Sequence, residues 1–202
     1  MFPSSPVVLA SRSPRRHALL SQIGLTVRVI VSDVPEDLDP ALSPEANAEA
    51  LARLKAQHVA RDIDAGIVLG ADTIVVLDHH VLGKPVDAAD AERMLMLLSG
   101  RTHTVFTGFA LVHQPSGRIV SGVEATKVTF RTLPSEEVRA YVRGGSPMDK
   151  AGAYGIQDDY GAVFVTRIEG CYYNVVGLPL ARVYEAMQSV ERSERGNSTG
   201  GT

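Results

Sequence analysis

Arginine is concentrated in this chain where it would be used against phosphate. The run Ser11-Arg12-Ser13-Pro14-Arg15-Arg16 follows a short apolar stretch and opens a helix, since Ser13 fits the N-cap and Pro14 the first helical position. Cations in a first turn oppose the helix dipole unless an anion occupies that end too. Free backbone N–H groups there suit a phosphate, and arginine adds bidentate recognition of its oxygens. A solvated helix start with arginines paired to surface acids fits the same residues, and the sequence alone leaves both open. Asp72 is the complementary feature. It stands between Ile67-Val68-Leu69 and Thr73-Ile74-Val75-Val76, so its carboxylate emerges between buried segments, where it would accept a proton from water or hold a divalent metal. A turn aspartate bonded to its own backbone is the alternative. Glu36, in an acidic loop, is a weaker metal candidate whose alternative is an exposed loop acid.

Lysine occurs four times, at Lys55, Lys84, Lys127 and Lys150. Lys84 lies in Gly83-Lys84-Pro85, where glycine and proline fix a turn that aims the ammonium; Lys150 follows Asp149 in a glycine-rich region; Lys55 lies mid-helix. Each by itself reads as a solvated surface lysine, and a phosphate site needs their combination with Arg15 and Asp72. Other chemistries are excluded by spacing: there is no GxxxxGK[ST] loop and no GxGxxG fingerprint, and His79-His80 is not a zinc spacing. The lone Cys171 builds neither a thiolate metal site nor an internal disulfide and reads as a small core residue, as Met94 and Met96 read as apolar content of their helix.

The elements that must position these groups alternate short β-like runs with helices, the pattern of an α/β domain with a mixed sheet. Strands are predicted at 7–10 and 26–31, and a helix at 14–23 closed by Gly24. Ser43-Pro44 starts an amphipathic helix through about Arg61 with Leu51, Leu54 and His58 on one side. Two strands, 67–69 and 73–77, are expected to meet at Gly70-Ala71-Asp72, placing Asp72 at a strand junction. Asp87 caps a helix over 88–98; strands 104–113 and 118–130 flank a Pro115-Ser116-Gly117 turn; a short helix follows Ser135; and a strand near 162–168 precedes a helix over 178–188. Residues 1–190 are expected as one domain and the Ser/Gly/Arg-rich 191–202 as a mobile tail.

With 202 residues, 45 % of them hydrophobic, the chain can bury a core; its net charge of -3 gives no overall attraction to polyanions and argues against nucleic acid. No apolar run is long enough for a membrane span. One cysteine and no charged-then-apolar leader make the cytoplasm the expected compartment.

Six ordered segments together resemble the Maf family: 11–16, Gly70-Ala71-Asp72-Thr73, Gly83-Lys84-Pro85, Ser99-Gly100-Arg101-Thr102-His103, Met148 to Gln157, and Tyr172-Tyr173-Asn174-Val175-Val176-Gly177-Leu178-Pro179-Leu180. The resemblance spans roughly 6–188. It implies a mixed twisted sheet in an elongated two-lobed domain with a central cleft, like inosine triphosphate pyrophosphatases. It also implies a divalent cation (Mg, Mn or Co) and hydrolysis of nucleoside triphosphates, with a homodimer as a further expectation. The segment 149–157 resembles the branch acting on dTTP and UTP. There Arg15, Thr73 and Gln157 match specificity positions, and Ser11, Lys55, Lys84 and Lys150 join them as substrate contacts. Asp72 is then the catalytic residue, with Glu36 and Asp72 as metal ligands. The Gln157 amide offers both a donor and an acceptor to a pyrimidine edge. Asp158 stands where many relatives have glycine, and Cys171 where many have a polar residue. Two other functions remain in view: a non-catalytic nucleotide-binding regulator of septum formation, and a phosphatase releasing single phosphates.

Overall fold

Side-chain caps set where two of the helices begin. The Ser43 hydroxyl accepts from the Ala46 N–H at 3.2 Å and the Asp87 carboxylate from the Asp90 N–H at 2.8 Å, each satisfying a donor that the first turn leaves without a partner. In the computed structural model, which describes residues 5–157 and 159–198, the chain runs β1 (Val7–Ala10), α1 (Pro14–Gln22), β2 (Val27–Val29), α2 (Pro44–Ala60), β3 (Gly66–Leu77), β4 (His80–Leu82) and α3 (Ala88–Leu98). It continues through β5 (Thr102–Gln114), β6 (Arg118–Phe130), α4 (Ser135–Arg143), β7 (Val165–Glu169), α5 (Tyr172–Val176) and α6 (Leu180–Ser198), with short 3-10 turns between α4 and β7.

Among the described residues, seven strands make one sheet in the order β2-β1-β3-β5-β6-β7, with β4 on β3. Pairing is mixed. β1 is parallel to β2 and to β3, with Val7 opposite Val27 and Ile67; β4 is antiparallel to β3 and β7 to β6. This is the mixed α/β class that the alternating pattern predicts.

The chain divides into two compact units: the described residues of Met1–Asp72, Thr107–Val123 and Gly177–Thr202, and those of Thr73–Phe106 and Glu124–Val176. In the first, the small residues Ala52, Ala56 and Ala60 of α2 pack with Val59 onto Val8, Ala10, Val68, Ala110 and Val112. Small side chains let backbones approach. A Cβ on Gly70 would lie 2.2 Å from the Ala52 carbonyl oxygen, and one on Gly108 2.1 Å from that of Ala48. In the second unit α3 packs on α4, with Met94, Leu95, Leu98, Val138, Tyr141 and Val142 buried.

Four expectations are corrected. β3 is continuous from Gly66 to Leu77, so Asp72 lies within a strand and not at a junction or in a turn; Gly70 looks like a breaker but is there for close packing. Leu54 is exposed, because the buried face of α2 follows Ala48, Leu51, Ala52, Lys55, Ala56 and Val59. Cys171, expected as a small core residue, is half-buried. The last helix continues to Ser198, beyond the expected end near Gln188 and into the stretch expected as a tail. Asp158 and 199–202 lie outside the described residues. No helix among the described residues is long and apolar enough to cross a membrane.

The Gly70 contact yields a stability test. Gly70→Ala puts a methyl group into the backbone of α2 and is expected to destabilise by ~3 kcal/mol in chemical denaturation. Gly83→Ala, with nothing within 4 Å of the new carbon, is expected to stay within ~0.5 kcal/mol of the parent.

Candidate active site

Three elements of the first unit meet at the Lys55 ammonium. It donates to Asp72 Oδ1 at 2.6 Å and to Glu36 Oε1 at 2.7 Å, joining α2, β3 and the loop before α2. Lys55 and Asp72 side chains are only 7 % and 13 % exposed, whereas Glu36 keeps 49 %. A lysine withdrawn this far must be matched by carboxylates. The reading of Lys55 as a solvated surface lysine is therefore corrected, and Glu36, although an exposed loop acid, pairs with it in one charge cluster.

The start of α1 supplies the opposite charge. Arg16 is buried and donates through Nε to the Gly177 carbonyl at 2.8 Å and through Nη1 to Ser11 Oγ at 3.0 Å. Ser11 Oγ also accepts from the Ser13 N–H at 3.2 Å, so the predicted N-cap gives no side-chain bond of its own to the helix. Burial holds the Arg16 guanidinium below its ordinary range, while Asp72 raises it, Arg15 lowers it and Glu36 raises it. An arginine stays charged in any case, so Arg15, Arg16, Lys55, Asp72 and Glu36 act on one another as charges. Arg15 is half-buried in the same turn, whereas Arg12 turns outward to an exposed pair with Asp33.

The remaining predicted residues belong to the second unit. Thr73, half-buried, follows Asp72 along β3, and Lys84 is exposed in the segment after β4, where 83–85 form no turn. Lys150 is buried with its ammonium 2.8 Å from Asp149 Oδ1, which corrects its reading as a solvated lysine. Both amide atoms of Gln157 are buried with no hydrogen-bond partner among the described residues. Such an orphaned amide costs ~1–3 kcal/mol and is the kind of group a ligand satisfies. Cys171 is half-buried, with its backbone tied to the Thr126 hydroxyl.

Sequence reasoning missed Arg16 and the pair His103–Tyr154. Arg16 was detectable: it shares the buried face of α1 with Leu19 and Leu20, at helical spacings of three and four. His103, 2 % exposed, has its Nε2 2.8 Å from the Tyr154 hydroxyl, a contact across 51 residues that no local pattern announces. Among the described residues no three His, Cys, Asp or Glu groups gather as a metal cluster; the oxygen-donor pair Asp72 and Glu36 is what the site offers.

An α/β sheet that sets paired carboxylates beside clustered guanidinium and ammonium groups has the make-up of a hydrolase for highly anionic substrates. Residues 6–190 match the family model described as Maf-like protein, and the chain belongs to the Maf family. It is 48 % identical over 186 residues to the dTTP/UTP pyrophosphatase of Salinibacter ruber, covering 92 % of this chain and 91 % of that one. It is 51 % identical over 183 residues to the protein of that name from Moorella thermoacetica, covering 91 % and 94 %. With that of Chlorobium phaeovibrioides it shares 47 % identity over 189 residues, covering 92 % and 97 %.

Burial sets a pH test. It pushes the His103 imidazole from 6.5 down to about 4. The unfolded chain therefore binds more protons between those values, so stability is fully present above pH 6.5 and falls as the pH drops toward 4. The expected loss is on the order of 3 kcal/mol. Urea midpoints across this range should fall less steeply in His103→Gln; an unchanged slope would remove His103 as the source.

Proposed function

We infer that the chain hydrolyses dTTP and UTP to the nucleoside monophosphate and pyrophosphate. The observation that carries this is the buried Lys55 ammonium between Asp72 and Glu36, beside Arg15 and Arg16, in a chain 47–51 % identical to relatives named for that activity. Binding alone has no need of carboxylates, which repel phosphates unless a cation intervenes.

In this reading the polyphosphate lies at the start of α1, its charge met by Arg15 and Lys55 with Ser11 as a further contact, while Lys84 and Lys150 are proposed as substrate contacts on the family resemblance alone. A water molecule attacks the α-phosphorus and Asp72 takes its proton. The new P–O bond forms as the bond from the α-phosphorus to the bridging oxygen breaks, and that electron pair leaves on pyrophosphate, where the cations offset the growing charge. Arg16 fixes Ser11 and so the shape of the turn.

The donor set fits a divalent cation. Asp72 and Glu36 offer hard oxygen ligands that already converge on one positive charge, and magnesium-type ions are held by one or two carboxylates together with substrate phosphates. Such an ion, whether Mg, Mn or Co, would shield phosphate charge and activate water when bound. The orphaned Gln157 amide supports its role toward the pyrimidine edge, with Arg15 and Thr73 as the other specificity residues. The reaction belongs in a reducing cytoplasm and needs neither nucleic acid nor membrane; a homodimer is proposed from the family resemblance.

Purified protein incubated with magnesium and UTP or dTTP should give monophosphate and pyrophosphate by phosphorus NMR. Asp72→Asn should lower kcat by ~10³-fold or more in protein that circular dichroism shows to be folded, and should also lower its melting temperature, because the buried Lys55 loses a carboxylate partner. Near-normal turnover in that variant would sink the assignment of Asp72. Tight nucleotide binding without turnover by the parent protein would make it a regulator, and stepwise release of inorganic phosphate a phosphatase. Lys55→Met leaves two carboxylates facing each other, so millimolar magnesium should raise its melting temperature more than that of the parent. Equal shifts would argue against metal at this pair.

A further inference from the structure

Two residues that the proposed chemistry leaves unused, His103 and Tyr154, meet in the second unit at one hydrogen bond. The His103 ring, at the start of β5, sits 2.8 Å from the Tyr154 hydroxyl through Nε2. Phe130 packs edge-on against both rings, with centroids 5.1 Å from His103 and 4.8 Å from Tyr154. Both side chains are buried, and neither is among the residues that the hydrolytic step employs. His103 Nδ1 has no hydrogen-bond partner among the described residues, so the phenol is the polar contact that retains this imidazole in an apolar setting.

The backbone leading to Tyr154 is strained. Gly152 and Ala153 both take left-handed conformations, with φ of 72° and 62°, and for alanine that region is disfavoured by its Cβ. Such a conformation persists only where the surroundings over-determine it. Here the Gly152 N–H is bonded to the Gly83 carbonyl at 3.0 Å, a Cβ on Gly152 would meet Val75 at 3.1 Å, and Ala153 is fully buried. The Tyr154 hydroxyl is the next fixed point along the chain. Three residues further on comes Gln157, its amide buried and unsatisfied.

We propose that Tyr154, held by His103, is a positioning residue that fixes the orientation of the Gln157 amide and thereby the nucleobase edge the enzyme accepts. This rests on the pyrophosphatase reading and deepens it. Uracil and thymine present an N–H beside a carbonyl, which an amide reads with its oxygen toward the N–H and its nitrogen toward the carbonyl. Cytosine presents the reverse order, an amino donor beside a ring acceptor, and is served by the same amide turned over. An anchored backbone holds one order; a loosened one admits both, because discrimination depends on leaving the wrong partner unpaired.

The test compares kcat/KM for UTP and CTP in the parent, in Tyr154→Phe and in His103→Leu, with His103→Gln as the conservative variant that can still partner the phenol. Expected are a fall of ~10-fold in the UTP-to-CTP ratio for Tyr154→Phe, carried mainly by a raised KM for UTP with kcat within about twofold, and near-parent behaviour for His103→Gln. His103→Leu should relax the ratio in the same direction, which keeps the test alive if the tyrosine variant does not fold. A lowered melting temperature with an unchanged ratio in the folded variants would show a role in stability alone and overturn the proposal. Absence of UTP turnover in the parent would overturn the pyrophosphatase reading and this proposal with it, whereas parent turnover with an unaltered ratio would overturn only the positioning role.

Discussion

A lysine ammonium withdrawn from water has to be met by negative charge within hydrogen-bond reach, and in this chain that requirement binds three separate elements. Lys55 comes from the middle of α2, Asp72 from the middle of β3 and Glu36 from the loop between β2 and α2. The helix can deliver the lysine only because its inner face is built of alanines and because Gly70 and Gly108 leave no Cβ against its backbone. Close packing and charge neutralisation are thus one constraint: widen the helix–strand gap and the ammonium loses its partners.

What the sequence made legible was local. Ser43 and Asp87 announced their helices through cap chemistry that acts over three residues, and the turn at 115–117 between β5 and β6 could be read from turn-forming residues. Asp72 stood out because a charge interrupts an apolar run. The misreadings came from residues whose meaning is set by distant partners. Gly70 was read as a strand break because its neighbour in space, Ala52, lies eighteen positions earlier in sequence. Lys55 was read as surface because nothing near it in sequence names Glu36 or Asp72. The extra turns of α6 run through a polar stretch without apolar periodicity, which gave no signal to extend the helix.

The second unit works by another principle. Its cluster of His103, Phe130, Tyr154, Phe164 and Tyr141 is joined ring edge to ring face, apart from the tilted pair Phe130–Phe164, with centroid separations from 4.8 to 5.9 Å. Offset aromatic contacts restrict rotation as well as burying area. That rigidity suits a segment such as 150–157, which has irregular backbone and few regular hydrogen bonds to hold it.

The bond from Arg16 to the Gly177 carbonyl spans 161 positions of sequence. During synthesis the arginine-bearing turn emerges well before the carbonyl that holds its buried guanidinium, which is made 161 positions later. Until then Arg16 can reach Ser11 but not the Gly177 carbonyl. The turn is therefore completed only after Gly177 has been made, and a polypeptide released before that residue would carry the motif without the carbonyl that sets Arg16 in place.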